Sequence, residues 1–268
     1  MIELDTYFSG FFLVVGSSGL AVIGLLLVRR CLDSRTLIAC HEVGGYLLSV
    51  VGTLYAVLLG LIVVEAMGRF QAARQTTDQE ANALADIVLF SHGLPSSKRA
   101  EILRRSATYA ELVLDKEWKA MDDGGFSPEA RRAAVDLVRT VSDFEPTTER
   151  EKATFAVELQ AAGELWNNRR VRIATSTHGI PALEWVVLIA GAIVTIIFTY
   201  FFMIERLAIQ IAMTALVSMI ISLNIYLVMM FGYPFSGDLT VGADSFRLAQ
   251  TIMEDRVELT PVPNAIAP

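Results

Sequence analysis

His41 and Glu42 begin a stretch like the HExxH signature, in which two imidazoles one helical turn apart hold zinc beside a basic glutamate. The second imidazole falls at position 45, where Gly45 stands, so the zinc-protease reading fails. Cys40, His41 and Glu42 read either as a small metal cluster or as a polar collar at the start of an apolar segment. The three histidines, His41, His92 and His178, are scattered and give imidazole catalysis little support. Gly125-Phe126-Ser127-Pro128 lacks the final glycine of a nucleophile elbow, and no GxxxxGK run is present to cradle phosphate. Acidic pairs such as Asp115 with Glu117, or Asp122 with Asp123, read as solvated faces. No catalytic residue, metal or cofactor is expected, and the chain is not read as an enzyme.

The elements around these residues are set by hydrophobicity. A mean hydropathy of +0.49 over 268 residues needs a location for the excess apolar side chains, and four blocks supply it. They cover about residues 7–28, 43–64, 182–204 and 207–231, each near the length that crosses a hydrocarbon core of roughly 30 Å. The first has an acidic start, Glu3 and Asp5, and no basic n-region, which disfavours a cleaved signal peptide. The chain therefore reads as an all-α, polytopic membrane protein. Residues 1–64 form a first transmembrane pair, 65–180 a helical domain, 181–232 a transmembrane hairpin and 233–268 a C-terminal tail.

Within 65–180 no strand pattern appears, and 16 basic against 18 acidic residues leave the segment nearly neutral. The second span is expected to run on past Val64 as one helix, with an apolar seam through Phe70, Leu84, Ile87 and Val88, until Gly93 and Pro95 end it. Ser96 or Ser97 is expected to cap the next helix, whose buried face is expected at Leu103, Ala107, Ala110, Leu114, Trp118 and Met121. Ser127 with Pro128 starts another, and Thr148 with Glu151 has capping-box spacing before a long helix to about Thr177.

The second span has two unlike sides. At about 100° per residue, Gly45, Ser49, Thr53, Ala56 and Gly60 fall on one narrow stripe, and Leu47, Val51, Leu54, Leu58 and Leu61 on another. Small residues let helices approach closely where lipid gives no hydrophobic drive to associate. That stripe reads either as packing within one subunit or as packing between neighbours around a pore. In the second case Leu54, Leu58 and Leu61 ring the axis as an apolar constriction, with Glu65 at its mouth, where an acid disfavours anions. The last two spans carry no charge near their centres, which argues against a secondary transporter. The net charge of −7 argues against nucleic-acid partners.

Several stretches together resemble a known family. They are His41-Glu42, the run Tyr55-Ala56-Val57-Leu58-Leu59-Gly60, Glu80 with Leu84, Tyr109, Glu117-Trp118, and Pro234-Phe235-Ser236-Gly237-Asp238. From about His41 to Arg247 the chain is similar to the bestrophin-like family of bacterial membrane proteins, proposed distant relatives of the bestrophin channels. The resemblance implies a homo-oligomer, a pentamer in bestrophins, that lies in a bacterial inner membrane and passes small inorganic ions through a pore lined by the second span. Calcium gating is not implied, because the acidic clasp and the phenylalanine-bearing neck of bestrophins are not seen here. Pro234 and Gly237 are expected to end the fourth span in a turn, with Ser236 or Asp238 capping the next segment.

Orientation rests on basic residues. Arg29, Arg30 and Arg35 lie in the first connection, against Arg69, Arg74, Arg169, Arg170 and Arg172 on the other side, a balance that puts 65–180 in the cytoplasm. Cys31 and Cys40 then face an oxidising compartment and can pair, whereas the inverted topology leaves them as cytosolic thiols. The rival to a channel is a non-conducting membrane scaffold or sensor whose helical domain binds a cytoplasmic partner.

Overall fold

The computed structural model describes residues 6–31, 41–202, 204, 206–237 and 239–258, and among them no strand occurs. The chain is read as helices α1 (Thr6–Cys31), α2 (His41–Phe90), α3 (Ser96–Leu112), α4 (Trp118–Asp122), α5 (Pro128–Ser142), α6 (Glu149–Thr177), α7 (Ala182–Tyr200), α8 (Leu207–Gly232) and α9 (Asp244–Glu258). A π-helical segment, Val113–Glu117, joins α3 to α4. α1, α2, α7 and α8 are long and apolar enough to cross a membrane. This is an all-α polytopic membrane protein.

Contacts divide the chain into two units. The first holds residues up to 70, 179–233 and 237–239, and so contains the apolar part of α2 with α1, α7 and α8. Ser17 of α1 and Ser222 of α8 bond through their hydroxyls at 2.6 Å, and the side chain of Arg29 donates to the Ile204 carbonyl. Tyr55, Leu59, Leu188, Ile221 and Val228 form a buried cluster joining α2, α7 and α8. Gln210, one of the two polar residues expected within the fourth span, is buried and donates to the Phe202 carbonyl.

The second unit holds residues 71–178, 234–236 and 240 onward. Its core gathers Leu84, Ile87 and Val88 of α2, Ile102 and Tyr109 of α3, Leu137 of α5, Leu165 of α6 and Phe246 of α9. Side-chain caps set two of its helix starts, whereas α3 begins at Ser96 behind Pro95, and neither Ser96 nor Ser97 caps it. Ser127 accepts from the Ala130 N–H at 3.2 Å with Pro128 following, and Thr148 and Glu151 complete a capping box, their reciprocal bonds measuring 3.2 and 3.1 Å. Each satisfies backbone donors that a helix start leaves open.

Two features differ from the sequence reading. Of the face expected on α3 and α4, Ala110 and Met121 are buried and Leu103, Leu114 and Trp118 pack against the core, but Ala107 is exposed, and Ile102, Ser106, Tyr109, Val113 and Glu117 are buried as well. The hydrophobic pattern passes over Ser106 and Glu117 because they are polar, and beyond Leu112 the π segment shifts the register by about one residue. Residues 233–268, read as a tail, contain α9, whose Phe246, Ala249 and Met253 are buried in the second unit's core.

Candidate functional site

In α2 the buried residues that fasten the helix to its own chain belong to neither of the two predicted stripes. Tyr55 and Leu59 are buried, and the Tyr55 hydroxyl donates to the Leu188 carbonyl at 3.1 Å. The Tyr55 ring lies so close over Gly191 that a Cβ there would stand 2.3 Å from it, which is why α7 carries glycine at that point. This anchoring face lies about 100° around the helix from Leu54.

Leu54 and Leu61 are each 67% exposed in the single chain, whereas Leu58 is half-buried against the Tyr55 and Leu59 cluster. Of the small residues, Ser49, Thr53, Ala56 and Gly60 are exposed, and Gly45 is half-buried beside the Phe202 ring. Within the single chain only Gly45 of the small stripe is covered. The Ser49 and Thr53 hydroxyls bond back to the carbonyls of Gly45 and Ser49, at 3.0 and 2.7 Å, leaving that surface without unmet donors.

Glu65 is exposed but not alone. Arg69, one helical turn on, pairs with it at 2.7 Å, lies 3.8 Å from Glu184 and donates to the Gly179 carbonyl at 3.3 Å. Two carboxylates and one guanidinium thus stand together, with a net charge of −1. The i,i+4 spacing of Glu65 and Arg69 was visible in the sequence, while Glu184 required the fold.

The residues carrying the family resemblance meet elsewhere. Arg172 binds Glu80 through Nε at 2.6 Å and Nη2 at 2.9 Å, and that same Nη2 reaches Glu117 at 3.0 Å. Arg169 pairs with the other Glu117 oxygen, and the Tyr109 hydroxyl donates to Glu80. Trp118 and Phe246 cover the Arg172 guanidinium at 5.1 and 5.6 Å. Glu80, Glu117 and Arg172 are fully buried and Arg169 nearly so. Burial and the neighbouring Glu80 charge hold the Tyr109 phenol well above its ordinary pKa. Burial pulls the Arg172 pKa down, but the charge and hydrogen bonds of Glu80 outweigh it and keep the guanidinium charged. With two acids against two bases, the cluster is a neutral clamp tying α2, the α3–α4 region and α6 together.

By sequence position Arg169 and Arg172 are membrane-flanking charges, and in the fold both are held in buried ion pairs. A signal existed: Ala161, Ala162, Leu165, Arg169 and Arg172 share one buried face of α6, and a cation inside such a stripe calls for an acid.

The Pro234 stretch follows α8 as a turn. Gly237 has φ +88°, a conformation that favours glycine, and the Val241 N–H bonds to the Pro234 carbonyl at 2.7 Å. Phe235 packs edge-to-face on Trp118 with centroids 6.2 Å apart, and the Trp118 indole donates to the Val241 carbonyl at 3.1 Å. Ser236 does not cap the next helix. Its hydroxyl donates to the Asp122 carbonyl at 2.8 Å, tying the turn to the end of α4. Asp238, Cys40 and the side chains of His41 and Glu42 lie outside the described residues, while Cys31 ends α1 exposed. Among the described residues no group of three potential metal ligands occurs.

A family model for the bestrophin-like domain matches residues 15–246. A bacterial bestrophin homologue from Klebsiella pneumoniae superposes with a TM-score of 0.67 at 13% identity, over 94% of this chain and 99% of that one. A point variant of the Klebsiella homologue gives a TM-score of 0.66 at 14% identity, over 94% and 98% of the two chains. A crystal structure described only as a membrane protein variant gives 0.66 at 12%, over 92% and 98%. No curated protein matches the chain.

Proposed function

This chain belongs to the bestrophin-like family, and from that premise we propose that it assembles as a homo-oligomeric channel for small inorganic ions, its pore lined by the apolar part of α2. The reading is carried by the way α2 is anchored. Tyr55 and Leu59, with Leu58 half-buried beside them, hold α2 within the chain and leave exposed Leu54, Leu61 and all of the small stripe but Gly45. Copies arranged around an axis use both: Ser49, Thr53, Ala56 and Gly60 admit a neighbouring helix, and the leucines form an apolar ring that gates by dewetting. Each Glu65, Arg69 and Glu184 group adds one net negative charge, which favours cations over anions.

Pentameric assembly, a bacterial inner membrane and a cytoplasmic domain around the buried clamp belong to the same proposal. The test is single-channel recording from purified protein in planar bilayers, with the oligomer counted by native mass spectrometry. Unitary currents that Leu54→Ala enlarges are the expected result. A monomer, or a well-folded oligomer silent in several salts, overturns the channel and favours the scaffold.

A further inference from the structure

Arg169 is 3% exposed, and its hydrogen bonding is incomplete. One terminal nitrogen donates to Glu117, but the Nε–H is buried with no partner among the described residues. An unmade hydrogen bond at such a donor costs about 1–3 kcal/mol, and more when the group is charged. The same side chain lines a cavity of about 490 Å³, together with Phe126, Arg131, Trp166 and Arg170. No acidic residue lines it. Arg131 and Arg170 are exposed and form no ion pair with any described residue, so two positive charges stand uncompensated beside the buried one that Glu117 already neutralises. Apart from Asn167 the rest of the wall is apolar, with Phe126 43% exposed and Trp166 half-buried.

Guanidinium forks match the oxygens of a phosphoryl group, and aromatic faces take a flat apolar body. We infer that this cavity binds a small phosphate ester, its phosphoryl group held by Arg131 and Arg170 with an oxygen accepting from Arg169 Nε, and its aromatic or apolar body against Phe126 and Trp166. Because Arg169 also holds Glu117, which holds Arg172, occupancy tightens the buried clamp. The inference does not depend on conduction: a silent protein that keeps the site defeats the pore and leaves this standing.

Isothermal titration of the detergent-solubilised full chain with 1-naphthyl phosphate, compared with inorganic phosphate, tests it. The expected result is one saturable site per chain, at least about ten-fold tighter for the naphthyl ester. The double variant Arg131→Ala/Arg170→Ala weakens binding by about ten-fold or more through the loss of two charge-assisted bonds. Phe126→Ala brings the ester down to the affinity of inorganic phosphate. Arg132→Ala, an exposed arginine that lines an adjoining cavity and not this one, changes affinity less than about two-fold. Ligand raises the melting temperature of the wild type and not of the double variant. Phosphatidic acid in mixed micelles that displaces the probe assigns the ester to a lipid headgroup, and failure to displace it assigns a soluble ester. Absence of saturable binding, or a loss on Arg132→Ala equal to that of the double variant, overturns the inference.

Discussion

Arg172 grips Glu80 through two nitrogens at 2.6 and 2.9 Å, with both side chains closed to water and their positions 92 apart in the chain. Such a pair is strong only while whole, because either partner left alone is an uncompensated buried charge.

Glu80→Gln or Arg172→Met is therefore expected to destabilise the protein by about 3–5 kcal/mol, and the two changes together by less than the sum of the singles. Thermal unfolding of the four proteins in a double-mutant cycle, followed by circular dichroism, measures this. Additive losses would show that the clamp is not a unit.

Gly191→Ala puts a methyl group 2.3 Å from the Tyr55 ring. The overpacking is expected to cost about 1–3 kcal/mol and to be relieved in part by Tyr55→Leu in the same chain. Thermostability in detergent, read by size-exclusion chromatography after heating, reports both. A neutral Gly191→Ala would mean that α2 is not held there.

Glu158 is fully buried on α6 with both carboxylate oxygens unpartnered among the described residues, and burial pushes its pKa up to about 8. A carboxyl raised in the folded state keeps its proton there while the unfolded chain ionises. Its contribution is fully present below about pH 4.5 and is lost as the pH rises to about 8, beyond which it stays flat. Glu158→Gln is expected to remove that slope and to be more stable than wild type at pH 8.5, by on the order of a few kcal/mol. Denaturant unfolding across pH 5–9 decides it, a parallel pair of profiles being the negative result.

If the Glu65, Arg69 and Glu184 group stands at a pore mouth, Glu65→Gln and Arg69→Gln must shift the reversal potential in a salt gradient in opposite directions. Glu65→Gln lowers the preference for cations and Arg69→Gln raises it, each by a few-fold in permeability ratio. Shifts of the same sign would remove this group from the ion path.

Cys31 is exposed at the end of α1. With residues 65–180 in the cytoplasm and the Cys31–Cys40 pair formed, a membrane-impermeant maleimide labels intact cells only after reduction. Labelling confined to lysed cells reverses the topology.

The four spans were readable because an uncharged run of about 20 residues has few alternatives to crossing a bilayer. The starts at Ser127 and at Thr148 with Glu151 were readable because capping is local, decided within four residues. The clamp was not. Glu80, Tyr109 and Glu117 stood out individually, but their pairing with Arg169 and Arg172 depends on the packing of helices far apart in sequence. For the same reason α2 showed two unlike sides and hid a third, since Tyr55 and Leu59 resemble any other apolar residues until Leu188 and Gly191 are placed against them.

The π-helical stretch at Val113–Glu117 bears on chain length as well as composition. Deleting one residue there would return the ladder to ordinary α-helical pairing and turn everything after it by about 100°, carrying the carboxylate of Glu117 away from Arg169. The extra residue behaves as an insertion kept for its aim. Among descendants of a common ancestor, a chain shortened by one at this point should also have replaced the cation at position 169 with an uncharged side chain.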